Sequence, residues 1–156
     1  MAVDPTARRA NIKDSIKKFF IDNLYTIEGI DIGFDTSLDR PRTVNRNVIR
    51  WVNFRFGELD RETGTLTIEI YCCTRQDNEG FKLAQLTDTV MDYLTDSDQN
   101  DGTRRVPIYR SRATGAWTLL DGGFMILPDT ESEELDADDD TKYIVIPTTW
   151  RWGTKI

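Results

Sequence analysis

The strongest constraint on the fold lies in Thr65–Leu94, where the hydrophobic period changes from two to 3.6 across one short turn. In "TLTIEIYCC", Leu66, Ile68, Ile70 and Cys72 alternate with Thr65, Thr67, Glu69 and Tyr71. Period two sends one set to a core and the other to the opposite face, so this is a strand. After "TRQDNEG", Leu83, Leu86, Val90 and Leu94 form a stripe flanked by Ala84, Thr87 and Met91, which predicts a helix from about Glu79 to Thr95. A strand and a helix that each bury one apolar side must share a layer interface.

The flanking sequence extends that unit. From Val48, Val52, Phe54 and Phe56 fall on one face and Trp51, Asn53 and Arg55 on the other. "DRETG" supplies a turn with Gly64 free to take positive φ, so the two strands read as an antiparallel hairpin. Upstream, Ile12, Ile16, Phe19, Phe20 and Leu24 predict a helix over about Thr6–Tyr25, with Arg8, Arg9, Lys13 and Lys17 on a solvated side. "GIDIGFD" reads as a half-buried strand. Downstream, short strands are expected around Val106–Arg110, Ala116–Leu120 and Phe124–Leu127, with "DGGF" as a turn. "KYIVIPTTWRW" is apolar on both faces early on and belongs inside the sheet, with Pro147 at a bulge or where pairing stops. The expectation is one α+β domain over 1–156: a mainly antiparallel sheet, two helices on one face and a projecting β-hairpin.

Composition narrows function more than fold. There is no His, which removes the commonest general base and metal ligand. The two cysteines, Cys72 and Cys73, are adjacent in a strand and so face opposite ways: Cys72 inward, Cys73 opposite. No phosphate-cradling glycine loop or nucleophile elbow occurs, and no catalytic residue, cofactor or metal is expected. No apolar run is long enough for a membrane span, and "MAVDPTARRANIKDS" lacks a signal-peptide core, so folding in the cytoplasm is the expectation.

Charge is segregated along the chain. The stretch Asp129–Asp140 holds eight acids and no base, and without it 19 acidic residues face 20 basic ones. Conversely, Arg40–Phe56 carries five Arg and no acid. The acidic stretch, ending in Asp138, Asp139 and Asp140, reads as a mobile solvated loop, as a cation site, or as a contact segment for a basic patch on another copy. Arg42, Arg46, Arg50 and Arg55 are either solvated or interface residues, since the guanidinium fork grips carboxylates. A near-neutral body argues against sequence-specific DNA binding. Trp150 and Trp152 share a strand face near the C-terminal end, one suited to the core and the other to an interface.

A Gly-bearing turn, then "TLTIEIYCCTR", a short turn with Gly80 and "FKLAQLTDTVMDYL" together resemble the tail terminator proteins of long-tailed bacteriophages. The N-terminal helix, "RVPIY" and the last strand through "IPTTWR" are also similar, so the resemblance spans most of the chain. The acidic stretch and the Arg-rich lead into the hairpin depart from that pattern. The resemblance implies a structural virion protein at the tail–neck junction. Six copies would form a ring that ends tail-tube polymerisation and meets the head-side connector or neck protein. Genomic DNA would pass through without sequence-specific binding. Competing readings are another head–tail adaptor or tail completion protein, a small-ligand module or enzyme using Asp/Glu pairs, and a host sheet adaptor.

Overall fold

Both periodicities are realised in one sheet-and-helix layer. The computed structural model describes residues 8–34, 49–60, 64–77, 79–99, 102–110, 118–137 and 140–153. Helix α1 (Arg8–Phe20) continues into a π turn (Ile21–Tyr25), and β1 (Asp31–Phe34) follows. Next come β2 (Arg50–Asp60), β3 (Thr65–Arg75) and α2 (Phe81–Leu94). Then follow β4 (Arg105–Arg110), β5 (Thr118–Pro128), β6 (Leu135–Ala137) and β7 (Thr141–Gly153). The strands lie in the order β1-β2-β3-β7-β5-β4, with β6 beside β7. β1 runs parallel to β2, and the other pairings are antiparallel. The α+β expectation holds.

The predicted face assignments hold as well. Val52 pairs with Cys72, which pairs with Ile144, and Phe54 with Ile70, which pairs with Ile146. These side chains join Ile12, Ile16, Phe20 and Leu24 of α1 and its π turn, and Leu83, Leu86, Val90 and Leu94 of α2, in one buried cluster. Both helices therefore cover the same face. On the opposite face Trp51 and Cys73 are buried too, so Cys73 is a second interior thiol.

The sheet curls around α1. Lys13 lies over the Phe56 ring and Lys17 over Phe34 on one flank, while Lys18 lies over Tyr109 on the other. The expected solvated side of α1 is thus corrected for Lys13 and Lys17. Their stems are half-buried and their ammonium groups sit on aromatic faces, where the ring quadrupole attracts a cation. The same helix closes the β4 edge. Ser15 Oγ accepts the Tyr109 N–H at 2.8 Å and donates to the Tyr109 carbonyl at 3.2 Å, which satisfies an edge that would otherwise invite pairing.

Three further expectations are corrected. "DGGF" is not a turn: it lies inside β5, where Gly123 pairs with both Pro107 and Gly153. A Cβ on Gly123 would approach the Val106 carbonyl at 3.1 Å, and the β4–β5 register shifts just beyond, between Pro107 and Tyr109. The glycines let one strand bend where two were expected. The hairpin β2–β3 does not stand clear of the sheet, because β7 pairs with β3 from Thr65 to Arg75. The acidic stretch is not a free loop through residue 137. Asp129 and Ser132 donate backbone N–H to Pro147 and Val145, and β6 pairs with β7.

Pro147 sits where the structure can accommodate it. Pairing of β7 with β5 ends at Thr148, and pairing with β6 begins at Tyr143. The Pro147 carbonyl accepts from Asp129, so the missing N–H faces that interval and not the β3 ladder. Among the described helices none is long and apolar enough to cross a membrane.

Candidate functional site

The turn after β3 shows how local chemistry positions α2. Asp77 Oδ2 accepts from the Leu83 N–H at 2.8 Å and from the Thr74 hydroxyl at 3.1 Å, while Oδ1 accepts from the Lys82 N–H at 3.2 Å. Free N–H groups at a helix start need such acceptors. Burial alone would raise the Asp77 carboxyl, but the bonds from Leu83, Lys82 and Thr74 and the Lys82 charge outweigh it and hold it below the usual range. Gly80 takes φ 74°, and a Cβ there would strike the Glu134 carboxylate. Sequence reading passed over Asp77, although an acid shortly before an apolar helical stripe was the available signal.

Of the predicted interface residues, Arg42, Arg46, Asp138 and Asp139 lie outside the described residues. Arg50 is exposed at the start of β2 and donates to the Glu28 carbonyl at 3.2 Å. Arg55 is exposed and in register with Glu69, whose carboxylate accepts from the Tyr71 hydroxyl at 2.8 Å. Burial first, then the Glu69 bond, raise the Tyr71 hydroxyl, and Arg55 pulls it back down. Arg55 therefore belongs to an outer-face cluster within its own chain. Asp140 is exposed at the turn into β7, at φ 57°.

Trp150 is corrected as an interface candidate. It is 0% exposed, packs edge-on against Phe19, Phe20 and Phe124, and donates Nε1–H to Thr148 Oγ1 at 2.9 Å. Trp152 is half-buried against the same core, and its backbone N–H donates to the Gly64 carbonyl at 2.9 Å. One tryptophan in the core matches the sequence reading, and Trp152 keeps a partly open ring.

What the structure brings together is one end of the sheet. In register across it run Asp31, Trp51, Cys73, Tyr143 and Leu135, so β1-β2-β3-β7-β6 form a five-strand row there. Arg50 and Asp140 share this end, Arg50 one position and Asp140 three positions beyond that row along the chain. Among the described residues, no strand pairs with the outer side of β1 or of β6. Among the described residues six large apolar side chains are strongly exposed, and four of them (Ile21, Tyr25, Ile27 and Ile49) lie on the segments leading into β1 and β2. Around β6, Glu133, Glu134, Asp136 and Asp140 are exposed, with Asp136 bridged to Lys142 at 3.2 Å. Sequence reading missed the β1 edge, because edge position follows from strand order and not from local pattern.

Burial pushes the Cys72 thiol up to about 12, and Cys73 also rises well above its ordinary value. Neither is a ready nucleophile. Among the described residues, no group of three His, Cys, Asp or Glu side chains could hold a metal ion.

A solved protein structure shares this fold with a TM-score of 0.50 and 9% sequence identity, covering 92% of this chain and 97% of the other. No protein-family model and no curated protein matches the chain.

Proposed function

We propose that this chain is a structural subunit of a long-tailed bacteriophage, forming a hexameric ring that caps the tail tube and ends its polymerisation. The ring joins the tail to the head-side connector, and DNA passes through its centre. The observation that carries this reading is the β3–Gly80–α2 unit. A paired strand turns through a left-handed glycine into a helix whose Leu83, Leu86 and Val90 pack on the sheet. That unit carries the tail-terminator resemblance, and an element order of N-terminal helix, β3, α2, β4 and β7 supports it. Segregated charge in the sequence supports contacts between unlike surfaces of neighbouring copies, the kind that close into rings.

The test is electron microscopy and light scattering of the purified protein mixed with tail tubes. The expected result is a particle of six chains seated at one tube end, with tubes that no longer lengthen. A protein that stays monomeric both alone and with tubes would remove the reading.

A further inference from the structure

Among the described residues, the outer edges of β4, β1 and β6 are treated differently. The β4 edge is closed by Ser15. The edges of β1 and β6 have no strand partner among the described residues. Both lie at the same end of the molecule, on opposite sides of the five-strand row. They differ in charge. Lys17 stands over Phe34 at one end of β1 and Arg50 beside Asp31 at the other, while β6 is flanked by Glu133, Glu134 and Asp140.

We propose that β6 of one copy adds to the β1 edge of the next, continuing the sheet from chain to chain. This rests on the ring reading and names the surface that would build it. Strand direction favours the join. β1 runs with β2 and β7, and β6 runs against them, so a neighbour brought alongside meets β1 in antiparallel sense. That sense sets Glu133 and Glu134 towards the Lys17 end and Asp140 towards Arg50. Both strands are short, β1 with four residues and β6 with three. The exposed Ile27 and Ile49 beside β1 give the contact an apolar border. Such short strands add few backbone bonds, so opposite charge and the apolar border must select the partner. The two edges are unlike, so the contact is head-to-tail and propagates until it closes.

The experiment uses the full chain under conditions where the wild type assembles. Lys17→Glu with Arg50→Glu should raise the concentration for half-assembly roughly tenfold or more, as should Glu133→Lys with Asp140→Lys. All four changes together should restore assembly, with circular dichroism verifying that each variant folds. As an independent readout, Asp31→Cys and Asp136→Cys chains are mixed and treated with a short thiol cross-linker. Cross-linked pairs should contain one chain of each kind and be absent from either chain alone, because Cys72 and Cys73 are buried. Assembly that survives both charge reversals, with no mixed cross-link, would overturn the edge contact and leave the ring standing. A wild type that never assembles, with or without tubes, would overturn both.

Discussion

Ser15 and Tyr109, ninety-four positions apart, exchange two hydrogen bonds, with the helix hydroxyl serving both backbone groups of an edge-strand residue. One serine thus does what a neighbouring strand would do. Ser15→Ala leaves a donor and an acceptor without partners and should cost about 1–3 kcal/mol. Urea unfolding reads the loss, and hydrogen exchange at the Tyr109 amide should quicken more than at the Ile70 amide in mid-sheet.

Asp77→Ala should destabilise the protein by about 1–2 kcal/mol at neutral pH, because α2 then starts with unbonded N–H groups. The pH dependence has a definite sign. The folded carboxyl lies below its usual value, so its contribution is complete above about pH 4 and is lost as pH falls through the folded value. Wild type and variant should therefore converge in acid, as followed by denaturant midpoints from pH 7 downwards.

The two cysteines should be silent in the native state. With Cys72 near 12 and Cys73 also raised, a disulfide-exchange reagent at pH 8 should titrate neither thiol until the chain unfolds, and then both. Unfolded thiols ionise from about pH 8.5, so stability should fall as pH rises above that value. Prompt reaction of either thiol in folded protein would contradict the burial.

Trp150→Ala should cost about 3–5 kcal/mol, since it removes the ring at the centre of the Phe19, Phe20 and Phe124 contacts together with the bond to Thr148. Trp152→Ala should cost clearly less, because that ring is only half-buried. Thermal unfolding of the two variants side by side gives the comparison.

Period and spacing made α1, β2, β3, α2 and β7 legible before any coordinates, because each has one face that must leave water. They could not show that β5 runs through "DGGF", since a glycine pair reads as a turn unless the two flanking strands are known. Nor could they show that Ser132 and Asp129 lie along β7, because eight acids in twelve positions look like a solvated run. Arg50 and Asp140 were both singled out, yet their shared end follows only from β3 lying between β2 and β7. Local pattern predicts elements. Adjacency between distant elements, and with it the open edges, depends on the order in which strands assemble.

That order has a kinetic consequence. β7 stands between β3 and β5, so the last described strand in chain order holds the middle position in space. Only β7 pairs with both β3 and β5, and it carries the Trp150 ring that packs on Phe19 and Phe20 of α1. Completing the sheet therefore depends on contacts between distant parts of the chain, and topologies of that kind fold more slowly than those built from local contacts.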